Sequence, residues 1–133
     1  MDRRTLLAAA GAGLALPALG RSQGRWPDRP IRMIVPFPAG GGTDAWARMT
    51  AEPLGQELGQ AILVENRSGG SGMIGTDAAA KAAPDGYTLL MNITTHVQSP
   101  VVMRRSPYDP FRDFAFIGRL GTTAITFMIG PAV

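Results

Sequence analysis

The chain has 133 residues, 45% hydrophobic and 17% charged, with a mean hydropathy of +0.06. That length and balance fit about one folded domain and exclude both a disordered charged tail and a polytopic membrane protein. With no cysteine and a single histidine, His96, it lacks the thiolate and imidazole sets that zinc, haem and iron–sulfur centres need; disulfides and thiol catalysis go with them. The isoelectric point of 10.2 rests on only 13 basic against 10 acidic residues. Arginines pair only at Arg3-Arg4 and Arg104-Arg105, so no basic strip exists to track phosphates, and nucleic acid is not an expected partner.

Arg3 and Arg4 precede an uncharged, Leu- and Ala-rich run from Thr5 to Gly20 that ends in Ala18-Leu19-Gly20. This is the pattern of an export signal over residues 1–20, leaving 21–133 as the mature part. The run falls short of the roughly 20 apolar residues of a spanning helix. It also lacks the polar residues that an amphipathic first helix would repeat every turn. Adjacent arginines before Thr5-Leu6-Leu7 resemble a bacterial twin-arginine signal, with Asp2 where Ser or Thr is usual.

Ile31 to Phe37 reads as a short buried strand that ends in a turn at Pro36-Phe37-Pro38. Gly40-Gly41-Gly42 leads into a helix that Thr43 or Asp44 can cap, with Ala47, Ala51, Leu54 and Leu58 as its apolar face. Pro53 cannot donate to the Met49 carbonyl, which predicts a kink or restart near Glu52. Ile62 to Asn66 is a second strand. A glycine-rich turn from Ser68 to Gly72 precedes a helix from about Met73 to Ala83, with Ile74, Ala78 and Ala82 on one face and Pro84-Asp85-Gly86 as its stop. Tyr87 to Asn92 is a third strand, Ser99-Pro100 starts a short helix, Pro107 to Pro110 turns, and 114–120 and 123–129 read as further strands. Strands alternating with helices across short joints predict an α/β fold of three layers with a mostly parallel sheet and right-handed crossovers. The closing Gly130-Pro131-Ala132-Val133 follows an apolar stretch with no final helix, which predicts a fragment.

Three segments then fall at the carboxyl edge of the sheet, where open α/β sheets bind ligands. The first, Pro38-Ala39-Gly40-Gly41-Gly42-Thr43-Asp44, joins a strand to a helix N-terminus. First-turn amides there lack intrahelical acceptors and carry about half a positive charge, which suits an anion; the plainer reading is a tight turn. Asp44 is expected to cap rather than to touch an anion, which its charge would repel.

The second segment, Gly70-Ser71-Gly72-Met73-Ile74-Gly75, matches G-x-G-x-x-G after a strand. The next strand, however, ends in Asn92 rather than in the acid that a dinucleotide's ribose needs, and Asp85 lies at the opposite edge. Gly69-Gly70-Ser71-Gly72-Met73 misses the G-x-S-x-G elbow of a hydrolase by one glycine. A Walker-type phosphate loop is excluded, because the only lysine is Lys81. The third segment, Asn92-Ile93-Thr94-Thr95-His96, offers hydroxyls, an amide and an imidazole either to a polar ligand or to its own turn. No catalytic residue, metal or cofactor is expected. The rival reading is a nucleotide-cofactor oxidoreductase built on the Gly70 to Gly75 turn; a nonfunctional truncation is a third.

The twin-arginine-like leader, WPDRPIRMIVPFPAGGGTD from Trp26, ILVENRSGGSGMIGTDAAAKAAPDGYTLLM from Ile62 and PYDPFRDFAFIG from Pro107 come in one order. Together they resemble the Bug or TctC-like family of bacterial extracytoplasmic solute-binding proteins, partners of tripartite tricarboxylate transporters. The resemblance implies a periplasmic-binding-protein-like (type II) fold of two lobes, of which this chain is the truncated N-terminal one, closing on a small carboxylate held by backbone amides and ordered waters. It places the family's binding loops on Pro38 to Asp44, Gly69 to Gly75 and Asn92 to His96; Asn92-Ile93-Thr94 departs from the small residues and Ser or Thr usual after the third strand. Such receptors are about twice this length or more. The resemblance therefore implies a second lobe beyond this chain, weak or undetectable binding by one lobe alone, and capture for the transporter's membrane components rather than catalysis.

Overall fold

A computed structural model describes residues 25–122. The leader at 1–20 and the expected strand at 123–129 lie outside the described residues. The elements are β1 (Ile31–Val35), α1 (Gly42–Leu58), β2 (Ile62–Asn66), α2 (Met73–Ala80), β3 (Thr88–Leu90) and α3 (Thr95–Val102), with a 3-10 turn at Gly70–Gly72 before α2.

The apolar run of β1 makes it the buried centre of a three-stranded sheet, ordered β2-β1-β3 and parallel throughout. Ile31 pairs with Ile62, Val35 with Asn66 and Met33 with Leu89. The path runs from β1 to β2 and then back past β1 to β3. Right-handed crossovers along that path lay α1 and α2 on opposite faces, the expected three layers. On the α1 face, Met33 and Val35 meet Ala47, with Leu54, Ile62, Val64 and Leu89 packed around them.

Gly41, extended at φ −78° and ψ 169°, is the N-cap of α1 and receives no side-chain bond, so neither Thr43 nor Asp44 caps the helix. The helix runs through Pro53 without the expected restart near Glu52. Met49, whose carbonyl loses its donor to Pro53, is 70% exposed, so solvent can supply what the proline does not. At the other end Gly59 turns left-handed at φ 68°, and the Gln60 amide donates to the Gly55 carbonyl.

The second helix, α2, stops at Ala80 rather than Ala83 and turns a different face inward: Ile74 is 58% exposed, whereas Gly75 and Thr76 are buried. A Cβ on Gly75 would lie 2.6 Å from the Arg67 carbonyl oxygen and 2.8 Å from the Pro36 Cα. Close approach of backbone to backbone, rather than the apolar stripe, decides how this short helix sits. The third strand is Thr88–Leu90, shorter than the expected 87–92, and the Met91 amide extends its ladder to the Ile34 carbonyl.

Helix α3 begins at Thr95, ahead of the expected start at Ser99-Pro100. Pro100 leaves the His96 carbonyl without a helical donor, and the Tyr108 hydroxyl donates to it at 3.2 Å. The turn expected over 107–110 brings Tyr108 and Pro110 back against α3. The strand expected at 114–120 does not form among the described residues. Phe114 and Phe116 instead pack edge-on with His96, at centroid distances of 4.7 and 5.7 Å, and the backbone pairs with no strand among the described residues.

Gly75→Ala is expected to cost about 1–3 kcal/mol in urea or thermal unfolding, because backbone must move to admit one methyl. Gly118→Ala, where the added Cβ meets nothing within 4 Å, is the control. Equal effects at the two positions would show that α2 is not held by this contact.

Candidate functional site

Because the strands are parallel neighbours, the segments 36–41, 67–72 and 91–94 leave the same edge of the sheet. Side-chain bonds join them. Asn66, the last residue of β2, donates from Nδ2 to the Phe37 carbonyl at 3.1 Å and to Asp44 Oδ1 at 3.0 Å, linking the first segment to the second. The Phe37 ring covers Gly72, where a Cβ would meet Cζ at 3.4 Å. Thr76 Oγ1 donates to the Gly72 carbonyl at 2.7 Å and accepts from Asn92 Nδ2 at 2.9 Å, linking the second to the third.

Asp44 is 3% exposed, and its carboxylate is fully engaged. Oδ2 accepts from Arg48 Nε at 3.0 Å and from the Gly40 amide at 2.8 Å, and Oδ1 from Asn66. Arg48 first, then the Gly40 amide and Asn66, hold its pKa down to about 2 against the opposing effect of burial. Asp44 thus fixes the loop. Arg48, one turn along α1, cancels its charge and answers the expected repulsion of an anion. Sequence reasoning missed Arg48 and Asn66, although an Asp/Arg pair at i,i+4 was there to be read.

Among the described residues, the amides of Gly41, Gly42 and Thr43 donate to no acceptor, and Gly41 and Gly42 are exposed. Pro38 and Ala39 form the exposed rim, while Gly40, at φ 81°, spends its amide on Asp44. In the second segment, Gly69, Gly70, Ser71 and Gly72 all have positive φ. The Gly72 and Met73 amides close the turn onto the Gly69 and Gly70 carbonyls, whereas those of Gly70 and Ser71 find no acceptor among the described residues.

The third segment is mostly internal. Asn92 Oδ1 accepts from the Ile93 amide at 2.8 Å and from the Thr95 hydroxyl at 3.3 Å. Thr94 is exposed and gives α3 no side-chain cap. His96 is 7% exposed, stacked on Tyr108, with Nε2 at 2.9 Å from the Pro110 carbonyl. A carbonyl can only accept, so Nε2 carries the proton, and the buried Nδ1 has no hydrogen-bond partner among the described residues. The structure therefore gathers open donors from the first two segments and from Thr94, and it uses Asp44, Gly72, Met73, Asn92, Thr95 and His96 to hold the frame. Two surface concavities, of about 720 Å³ along α1 and β2 and about 460 Å³ beside Trp26, include none of the loop residues expected from the sequence, although Arg48 lines the first. Among the described residues, no cluster of three or more His, Asp or Glu could hold a metal.

Folding lowers the Asp44 pKa, so its stabilisation is complete above the ordinary value of 3.8 and is lost as pH falls through about 2. Asp44→Asn is expected to lower the thermal midpoint at neutral pH. The gap to the parent chain should then narrow between about pH 4 and pH 2 in parallel melts. A gap constant across that range would show that the carboxylate's charge does not hold the loop.

The TctC profile, the Tripartite tricarboxylate transporter family receptor, matches residues 46–133. Protein BugT of Bordetella pertussis (strain Tohama I) is 40% identical over 141 aligned positions, which cover 98% of this chain and 41% of BugT. MatC of Rhodopseudomonas palustris with bound malate is 37% identical and superposes with a TM-score of 0.64, covering 67% of this chain and 31% of MatC. An R. palustris protein with adipate is 41% identical, with a TM-score of 0.61 over 64% of this chain and 29% of its own. A protein described as a periplasmic transporter is 45% identical, with a TM-score of 0.62 over 65% of this chain and 30% of its own. The chain spans about 40% of the length of the curated relatives it matches. Its parallel sheet and flanking helices are those of part of a periplasmic binding protein, a fold used in this family for transport reception and not for catalysis. The chain belongs to the TctC family of tripartite tricarboxylate transporter receptors.

Proposed function

We propose that residues 21–133 form the N-terminal lobe of a periplasmic receptor, exported on the twin-arginine-like leader 1–20. In this reading the receptor captures a small carboxylate for the membrane components of a tripartite transporter. The observation that carries it is the set of open amides at Gly41, Gly42 and Thr43, on the same sheet edge as the Gly70-Ser71 turn. Such amides attract a carboxylate through both hydrogen bonding and the helix dipole. Relatives solved with malate and adipate, both dicarboxylates, support the ligand class, and a relative described as periplasmic supports the compartment. No helix among the described residues is long and apolar enough to cross a membrane. The loops hold one carboxylate, a second lobe closes over it, and the transporter reads the closed form. One wall alone binds weakly, so amide chemical shifts are the appropriate readout.

Gly42 is the first helical residue of α1, a position that suits proline, and its preceding residue is extended as a residue before proline must be. Gly42→Pro therefore removes one donor while keeping the fold; Gly42→Ala adds a Cβ into open space and keeps the donor. Malate or adipate is expected to shift the Gly41, Gly42 and Thr43 amides of the parent chain. Gly42→Pro should weaken binding roughly tenfold or more, and Gly42→Ala should leave it nearly unchanged. Failure of either acid to move these amides, with a nicotinamide cofactor moving the Gly70 to Gly75 turn instead, would overturn the proposal.

A further inference from the structure

With the order β2-β1-β3, the second strand is an edge, and among the described residues nothing pairs with its outer side. The Ala61 carbonyl and the Arg67 amide bond β1, so in this parallel ladder Leu63 and Glu65 do as well, and the backbone groups of Ile62, Val64 and Asn66 point away from the sheet. Edges that must stay single usually carry proline, lysine, a bulge or an inward charge. This one, Ile-Leu-Val-Glu-Asn, pairs with β1 without a bulge, and its only charge, Glu65, is engaged by Arg67 and Arg32. Leu63, on the face away from α1, is 57% exposed.

Along the same edge lies the concavity of about 720 Å³, floored by Ala51, Gly55 and Gly59, whose only charged lining residues are Arg48 and Glu52. Among the described residues Glu52 pairs with no cation, and Arg48, bonded through Nε and Nη2, keeps Nη1 unpaired. A Cβ on Gly55 would meet Ile62 Cγ1 at 3.7 Å, and Arg48 Nη2 bonds Asn66 Oδ1 at 3.3 Å. The helix therefore runs antiparallel to β2, with Glu52 near the level of Val64 and Arg48 one turn above it. A two-fold axis through Val64 would set Arg48 of each copy within one helical turn of Glu52 of the other, the two cations flanking the two carboxylates.

We propose that the β2 edge is a self-association surface, on which two copies of the chain pair antiparallel about a two-fold axis at Val64 and join their sheets. Ile62 faces Asn66 of the second copy and Val64 faces Val64, each pair exchanging both of its backbone bonds. An open edge is complementary to itself under such an axis, which is how most homodimers close. The trough's unpaired groups are of opposite sign and so match a second copy better than a strand of one charge. The pairing leaves the carboxyl-edge loops of the two copies at opposite ends of the joint sheet and does not depend on what they bind.

A five-residue strand pair is a small interface, so sedimentation equilibrium of the whole chain should show dimer growing in between roughly 10 μM and 1 mM. Val64→Pro removes an outward amide and no bond to β1, and Leu63→Lys charges the exposed face. Each should weaken dimerisation about tenfold or more, with the melting midpoint of Leu63→Lys unchanged. Glu52→Arg should weaken it about threefold at low salt and less at high salt. The chain has no cysteine, so single ones report the register. Val64→Cys, on the axis, should oxidise to a covalent dimer, whereas Leu63→Cys, with its Cα atoms about 8 Å apart, should not. A chain monomeric up to about 1 mM, a dimer that Val64→Pro and Leu63→Lys leave intact, or cross-linking at 63 as fast as at 64 overturns the proposal. Slow hydrogen exchange at the Ile62 and Val64 amides in a monomer also overturns it, by showing that another part of the same chain covers the edge.

Discussion

The carboxylate of Asp44 accepts from the Gly40 amide, Asn66 and Arg48, and through these bonds the turn after β1, the first turn of α1 and the end of β2 become one unit. A charged group this deeply placed is tolerable only when paired and hydrogen-bonded, and Asp44 is both. Since the Arg48 guanidinium balances the charge, the helix N-terminus just above it keeps its positive character. Had Asp44 capped the helix, the same carboxylate would have occupied those amides itself.

From that unit, order passes along the sheet edge by contact rather than by secondary structure. Phe37 lies on Gly72, Gly75 admits α2 to within backbone distance of Pro36 and Arg67, and Thr76 relays from Gly72 to Asn92. Asn92 in turn holds the start of α3 through Ile93 and Thr95. Each link is short and polar or involves a glycine, so none shows up as an apolar stripe. A one-methyl change at 75 and a lost hydroxyl at 76 would disturb the same edge from different sides.

How much of this could be read beforehand follows from the range of each interaction. The strand at 62–66, the parallel order and the glycine-rich turns are local patterns, and local patterns are legible. The burial of Gly75 in place of Ile74 depends on where the Pro36 and Arg67 backbones lie, which periodicity does not encode. Pro100 looked like a helix start because prolines favour first turns, but Tyr108 satisfies the carbonyl it orphans, and so α3 could begin at Thr95. The apolar run at 114–120 reads as a strand, yet a strand is a relation between two segments, and among the described residues that run packs its rings on His96 and pairs with no strand. Within the candidate site, the glycines and their edge were legible. The bond of Thr95 to Asn92 is the local-turn reading, whereas the duties of Asn92 towards Thr76 and of His96 towards Pro110 were not legible, because those partners lie sixteen and fourteen residues away in the chain.

Several orphaned backbone groups along this edge are provided for from inside the protein. The His96 carbonyl has Tyr108, the Ser71 carbonyl Ser99, the Gly72 carbonyl Thr76, the Ile93 amide Asn92 and the Gly40 amide Asp44. Among the described residues the amides of Gly41 to Thr43, like those of Gly70 and Ser71, have no such partner, and at an exposed helix end they are left to solvent or to a ligand. Serine or aspartate at position 41 would close the helix end, whereas glycine there sacrifices only a few tenths of a kcal/mol. The opening is therefore inexpensive in stability and specific in place. It sits over a neutralised carboxylate that stiffens the loop without competing for the donors, which is what the proposed binding of an acid would require.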